Sequence, residues 1–215
     1  QLREIDATTP DEKLYPEFDD QLRQAMLAET RLFFRELLDR NLGVRHFIKS
    51  DFTFLNRRLA RHYGIDGVAG EKMRLVDLPE DSVRGGLMTQ ASILKVTANG
   101  TLTSPVKRGN FVLTSLLGTP PNPPPPTIEA IEPDIRGTVT IRETLAKHRN
   151  VQSCASCHQH IDPPGFALES FNPIGGHRSR YRTTGKGDWT TDRIHGHRVN
   201  QYRWARHVDS GGITA

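Results

Sequence analysis

The segment Cys154-Ala155-Ser156-Cys157-His158 constrains the fold more than any other feature of the chain. It contains both cysteines of the 215 residues, and a histidine follows the second cysteine directly. This spacing is the attachment signature of c-type haem. Two thiols three positions apart can each form a thioether with one porphyrin, and the histidine can then bind the iron from the same side. The segment therefore predicts one covalently bound haem c, held by Cys154, Cys157 and His158.

Three other uses of the two cysteines are open at this point. A redox-active dithiol is typical of a strand–helix junction, and no apolar strand precedes Cys154. A structural zinc ion needs four ligands, and the two cysteines with His158 and His160 lie too close in sequence for an unstrained tetrahedron. A disulfide across two intervening residues would close a very small loop and stabilise little. The spacing favours haem over all three.

The charge pattern and composition argue against several classes of function. The net charge is +4, with 29 Lys and Arg against 25 Asp and Glu. The basic residues are dispersed, and the densest group is Arg178, Arg180 and Arg182, which could face an anionic partner or the haem propionates. A solvated basic surface is the simpler interpretation. The sequence has no nucleic-acid-binding motif, so we do not expect it to bind nucleic acid. It has no apolar run long enough for a transmembrane helix, so we expect no transmembrane segment in this chain.

The spacing of apolar residues predicts helices in the first part of the chain. A helix is expected over Phe18–Arg40. Its predicted buried face consists of Leu22, Met26, Phe33, Phe34, Leu37 and Leu38. A second helix should begin at Ser50 or Asp51 and end at Tyr63, before a glycine that favours a helix C-terminus. A third should begin at the Ser104-Pro105 pair, which is typical of an N-cap and first turn.

A proline-rich segment separates this helical part from the cysteines. Residues 119–126 contain six prolines. They can form neither a helix nor a central strand, so they predict an extended polyproline II rod. Such a rod could be a ligand for a partner protein, but a stiff strap between two regions is the favoured interpretation.

The expected fold class is mainly α, with long ordered loops, a polyproline strap and a C-terminal half organised by haem. Three regions follow: a helical N-terminal region at 1–118, a Pro-rich connector at 119–138 and a haem attachment region at 139–215. In the last region, Ile161–Phe166 predicts a turn, and the chain from Asn172 onward predicts mostly irregular structure. We expect the chain to be a fragment of a longer polypeptide.

Seven motifs are spread over nearly the whole chain. They are Asp51–Asn56, Ala60–Gly64, Arg84–Ser92, Thr103–Gly109, Leu117–Pro121, Cys154–His158 and Ile161–Phe171. Together they resemble the large planctomycete-type periplasmic cytochrome c-domain proteins of unassigned function. The resemblance implies a secreted or periplasmic multidomain protein with c-type haem motifs. One departure is His177, where such proteins often have an aromatic residue.

The ligand on the second face of the iron would decide the function. His158 is the expected proximal ligand, with its other ring nitrogen donating to a backbone carbonyl or a carboxylate. All three methionines precede the cysteines, and Met88 is the best distal candidate because a glycine pair precedes it closely. His62 is the leading histidine alternative. Simpler roles are core packing for Met88 and a helix C-terminal position for His62.

The sequence favours a monohaem c-type cytochrome module that transfers single electrons within a larger periplasmic redox protein, without catalytic residues of its own. Its partners would be a redox protein or other domains of the parent polypeptide. One alternative is a peroxidase-like haem enzyme with an open distal site, where Arg84, Arg108 or His62 serves acid–base chemistry. A second is a structural or binding module stapled by haem. Since bacteria attach haem c outside the cytoplasm, we expect a periplasmic or otherwise extracytoplasmic location.

Overall fold

The computed structural model describes most of the chain in two compact units. It describes residues 2–122, 145, 152–184, 188–189, 193–194, 197–198 and 203–207. For residues 152–154, 156 and those after 184, only the backbone is described. The first unit is Gln1–Thr101 with Phe171–His177, and the second is Leu102–Ser170 with Arg178–Ala215.

The first unit is built from three α-helices and a two-stranded antiparallel sheet. In chain order these are α1 (Asp20–Asp39), β1 (Phe52–Leu55), α2 (Arg57–Tyr63), β2 (Arg74–Asp77) and α3 (Ala91–Val96). Short 3-10 helices lie at Leu2–Glu4, Val44–Phe47 and Leu87–Thr89. Helix α1 packs against β1, α2 and α3 and therefore forms the centre of this unit.

Helix α1 forms where the sequence predicts it, although its buried face is different. The side chain of Asp19 caps it by accepting a hydrogen bond from Leu22 N at 2.7 Å. Phe34 and Leu38 are 44% and 70% exposed, so the prediction that they are buried is wrong. At 100° per residue they are turned away from the buried stripe. The buried stripe contains Leu22, Ala25, Met26, Glu29, Thr30, Phe33 and Leu37.

The predicted second helix is wrong in its first half. Residues 52–55 form β1, which pairs with β2 in the register Phe52↔Asp77 to Leu55↔Arg74. The helix begins only at Arg57 because the Asn56 side chain caps it, accepting from Leu59 N at 2.9 Å. An Asn before a helix stabilises its first turn, whereas aromatic and β-branched residues fit a strand.

In the part of the second unit that the structure describes, the main elements are two α-helices and two small antiparallel sheets. The helices are α4 (Pro105–Phe111), continued by a π-helical turn at Val112–Leu116, and α5 (Gln152–Phe166). The strands are β3 (Arg180–Thr183), β4 (Asp188–Trp189), β5 (Arg193–Ile194), β6 (His197–Arg198) and β7 (Arg203–His207). They form one sheet in the order β3-β7-β4 and a separate β5-β6 pair, so the region after Asn172 is less irregular than predicted.

Helix α5 replaces the turn that the sequence predicts at Ile161–Phe166. It continues through Pro163 and Pro164 in its last turn. Each proline removes one backbone donor, and the carbonyls that lose their partners belong to Gln159 and His160, which are exposed and accessible to water. The helix therefore extends past the cysteine motif by two turns.

Two glycines allow α4 and α5 to cross with their backbones in contact. A Cβ atom placed on Gly109 would lie 1.7 Å from the carbonyl oxygen of Ile161. A Cβ atom on Gly165 would lie 1.9 Å from the carbonyl oxygen of Pro105. Only glycine fits at either position, so this crossing fixes the helix that carries the cysteine motif. Leu145, Phe166, Tyr181 and Val106 pack together in the same unit.

The predicted Pro-rich connector falls mostly outside the described residues. The Pro-rich connector at 119–138 is described only as far as Asn122. The Pro105–Phe111 helix begins at Ser104-Pro105 as predicted, with Ser104 capping Lys107 N at 3.2 Å, and it belongs to the second unit. Among the described residues, no helix combines the length and apolar character needed to cross a membrane.

Candidate haem-attachment site

Helix α5 carries the whole Cys154–His158 motif. Residues three and four apart are neighbours on a helix surface, so positions 154, 157 and 158 lie close together around one turn. Cys157 is half-buried. The described part of Cys154 is its backbone, which lies in the first turn of the helix. Backbone positions 154, 157 and 158 therefore lie within two turns of one helix.

The imidazole of His158 has a buried carboxylate as its partner. Its Nδ1 lies 2.8 Å from Oδ1 of Asp162, four residues further along α5. The His158 side chain is 14% exposed and that of Asp162 is 1% exposed. A carboxylate accepts the Nδ1 hydrogen and so leaves Nε2 as the ring atom for a metal. Sequence reasoning expected a carbonyl or a carboxylate here, but it placed Asp162 in a turn and did not name it.

A cavity of about 350 Å³ lies beside Cys157. Its wall consists of Leu113, Thr119, Pro120, Pro121, Asn122, Cys157 and His160. Leu113 comes from the π-helical turn, and such turns are often found at functional sites. The volume lies within the range of ordinary ligand pockets, and the leucine and two prolines offer an apolar surface. The first residues of the proline-rich segment therefore line the cavity next to the motif.

The two candidate distal ligands lie in the first unit, whereas the motif lies in the second. Met88 is half-buried in the 3-10 turn Leu87–Thr89. His62 is in the last turn of α2, and its Nε2 lies 2.8 Å from the carbonyl oxygen of Ile174. The assignment of either residue to iron stays a prediction.

The arginines proposed for acid–base chemistry have other contacts. Arg84 donates from Nη1 to the Thr89 carbonyl at 2.8 Å and from Nη2 to the Gly175 carbonyl at 2.6 Å. Arg108 is fully buried and donates to the Leu168 carbonyl at 2.6 Å. These bonds hold each guanidinium within its own unit and explain why both arginines are buried.

Arg178 belongs to a buried ion pair in the second unit. Its Nη2 lies 2.7 Å from Oε1 of Glu169 and 2.8 Å from Oγ1 of Thr103. Tyr181 also donates to Glu169 Oε1, at 3.1 Å. Burial, followed by the negative charge of Glu169, raises the pKa of Tyr181 above its ordinary value. The interpretation of Arg178 as a surface or propionate-binding residue is therefore replaced by a structural one.

The first unit contains a buried polar cluster that sequence reasoning missed. Glu29 of α1 is 1% exposed and accepts hydrogen bonds from Thr53 Oγ1 at 2.7 Å and Tyr63 Oη at 2.5 Å. Burial raises the pKa of Glu29 from 4.5 to about 7, against the opposing effects of these two bonds and the Arg84 charge. The signal in the sequence was its position, since Glu29 lies three residues after Met26 in the apolar stripe of α1.

His177 keeps an aromatic contact despite its departure from the family pattern. Its ring meets that of Phe171 edge-on, with 5.7 Å between the centroids. The two residues also form an isolated antiparallel bridge that closes the loop between them. An imidazole therefore occupies the place where an aromatic ring was expected, and it contacts a neighbouring ring.

Two family models match the chain. Residues 84–181 match PSCyt3, described as a protein of unknown function (DUF1588). Residues 1–65 match PSD4, also described as a protein of unknown function (DUF1592). All seven motifs of the resemblance lie inside these ranges, and the name PSCyt3 indicates a cytochrome-like domain. No curated protein and no solved structure matches the chain.

Proposed function

We propose that the chain is a monohaem c-type cytochrome module that transfers single electrons. Cys154 and Cys157 would hold the porphyrin through thioether bonds, and His158 would bind the iron through Nε2. The observation that carries the proposal is the bond between His158 Nδ1 and Asp162 Oδ1, 2.8 Å long, on the helix that also bears both cysteines. This bond selects the tautomer that a haem iron requires of its axial histidine.

Apolar residues beside Cys157 support the proposal. The cavity beside Cys157 offers Leu113, Pro120 and Pro121 to an apolar macrocycle face. The backbone contact between α4 and α5 positions the C-terminal half of the helix that carries the motif. When bound, the haem would supply the one-electron chemistry, and the chain would orient it and exclude water from one face.

The contacts of the arginines favour electron transfer over the peroxidase-like alternative. Acid–base chemistry needs a side chain that can move a proton beside the iron. Arg84 and Arg108 donate to backbone carbonyls, which engages both guanidinium groups. Met88 and His62 remain our candidates for the sixth ligand. The partner of the whole module would be a redox protein or another domain of the parent polypeptide. The module would act outside the bacterial cytoplasm.

The test of haem attachment uses the chain expressed in bacteria that assemble haem c. We expect a pyridine haemochrome spectrum with one haem per chain, which stays with the polypeptide after denaturation. The C154A/C157A double variant should lose the covalent haem. Gln159→Ala is the matched control, because this exposed side chain lies on the same helix, does not line the cavity and should leave attachment unchanged. A colourless wild-type chain would contradict the proposal.

A second measurement separates electron transfer from peroxidase-like chemistry. A low-spin haem with two protein ligands should bind cyanide and carbon monoxide poorly and should not turn over peroxide with an artificial electron donor. Ready ligand binding together with peroxide turnover would replace the electron-transfer proposal with the enzyme alternative.

A further inference from the structure

The hydrogen-bond partner of the His158 ring is a carboxylate. A neutral backbone carbonyl would orient the ring equally well. Asp162 is fully buried, and its Oδ1 lies 2.8 Å from Nδ1 of the imidazole. This distance lies in the range of charge-assisted hydrogen bonds between nitrogen and carboxylate. The two residues are four apart on α5, so the helix itself brings them together.

A carboxylate acts on the imidazole more strongly than a neutral acceptor does. When Nδ1–H donates to an anion, electron density moves towards Nε2, and the ring becomes a more basic ligand. A more basic axial ligand stabilises the iron in its more positive, ferric state. Hydrogen bonds to the axial ligand and burial of the site are two means by which proteins set haem potentials.

Burial strengthens this effect at Asp162. The interaction between charges grows as water is removed, and the Asp162 side chain is only 1% exposed. The helix crossing at Gly109 and Gly165 encloses this part of α5, because Ile161 O contacts Gly109 directly. The carboxylate is therefore held beside the imidazole in a site from which solvent is excluded.

We propose that Asp162 is a positioning residue that lowers the reduction potential of the haem by making His158 a strongly basic ligand. This inference rests on the proposed function, since it concerns the same haem. It makes the module an electron donor to centres of higher potential, and it assigns a role to an acidic residue four positions after the motif histidine.

The experiment compares the potentials of haem-loaded full-length chains. Each chain is titrated with dithionite in the presence of mediators, and one electron reduces each iron from ferric to ferrous. Asp162→Asn keeps the shape of the side chain and a neutral acceptor. We expect its ratio of reduced to oxidised haem at a fixed potential to rise about tenfold, which equals an upward shift of 59 mV. Asp162→Glu restores the carboxylate and should recover part of the shift.

Gln159→Ala is the control, because it changes an exposed side chain of the same helix that does not line the cavity and does not touch the pair. Its potential should equal that of the wild type. If Asp162→Asn fails to retain haem, the wild-type ferrous protein labelled with ¹⁵N-histidine is examined by NMR. A protected proton bonded to His158 Nδ1, far downfield, supports the inference, and its absence overturns it.

The two proposals fail in different ways. A wild-type chain without haem removes the proposed function and the inference with it. A wild-type chain with haem, whose potential is the same in Asp162→Asn as in the control, removes the inference and leaves the proposed function standing.

Discussion

Each compact unit buries one glutamate among hydroxyl groups, and the two carboxylates are compensated differently. In the second unit, Glu169 is 0% exposed and forms a direct ion pair with Arg178 at 2.7 Å. In the first unit, Glu29 accepts bonds from two hydroxyl groups, while the guanidinium of Arg84 donates to backbone carbonyls instead. Burial raises the pKa of Glu29 to about 7.

The difference shows that the nearest positive charge must be in contact to compensate a buried carboxylate. Arg84 lies over the ring of Tyr63, with its Cζ 3.5 Å from the centroid, so it acts on Glu29 only through space. Burial also lowers the pKa of the Arg84 guanidinium, although the nearby charge of Glu29 acts in the opposite direction. The interaction between these two groups therefore does not offset their loss of water. The second unit therefore depends on its acid being ionised, whereas the first tolerates a protonated one.

The largest expected effect is a contrast between two matched substitutions at pH 8. Glu169→Gln should destabilise the second unit by about 3 kcal/mol or more, because it leaves Arg178 buried without an anion. Glu29→Gln should change stability by less than about 1 kcal/mol or increase it, because at pH 8 it removes an acid whose ionisation burial opposes. Urea unfolding followed by circular dichroism would measure both. Since Trp189 and Trp204 lie in the second unit, fluorescence follows that unit by itself.

Equal losses in the two variants would contradict the comparison. So would a large loss in Glu29→Gln with little loss in Glu169→Gln. Either result would mean that the hydroxyl groups around Glu29 compensate its charge as well as an ion pair does.

The second-largest expected effect is a pH-dependent loss of stability that comes from Glu29 in the first unit. Below about pH 4.5 Glu29 is protonated in both folded and unfolded chains, so it adds no cost. Between pH 4.5 and about 7 the folded chain keeps a proton that the unfolded chain releases, so stability falls as pH rises. The total loss is about 3 kcal/mol and is complete above pH 7. Subtracting the pH profile of Glu29→Gln from that of the wild type isolates this contribution.

Glu169→Gln serves as the control for that pH profile, because it leaves Glu29 intact and should keep the same loss between pH 4.5 and 7. A wild-type profile that runs parallel to that of Glu29→Gln over this interval would show that the Glu29 pKa is not raised.

The smallest expected contrast concerns the two tyrosines. Tyr63→Phe removes the donor to Glu29 and the acceptor for Ala91 N, at 2.8 Å, and should cost about 2 kcal/mol. Tyr181→Phe removes one of several bonds to Glu169 and should cost about 1 kcal/mol. Since the Tyr63 bond lowers the pKa of Glu29, Tyr63→Phe should also move the pH midpoint of the stability loss upward. An unmoved midpoint would show that the Tyr63 hydroxyl does not act on Glu29.

Local features of the sequence predicted the elements that depend on neighbouring residues. Helix α1 and the start of α4 were found because Asp19 and Ser104 cap their own first turns. The Phe52–Leu55 strand was missed because its partner, β2, lies about 20 residues away in a segment that predicts loop. The helical path through Pro163 and Pro164 was missed because the prolines locally favour a turn.

The candidate site shows the same difference between features set by neighbouring residues and features set by the folded structure. The sequence by itself predicted which residues would bond a porphyrin, because two thiols and an imidazole at this spacing are a property of the covalent chain. Only the tertiary structure decided that Asp162 faces His158, since that contact needs α5 to continue past a predicted turn. It also decided the protonation of Glu29, because a pKa depends on the solvent and charges around a group, which distant segments supply.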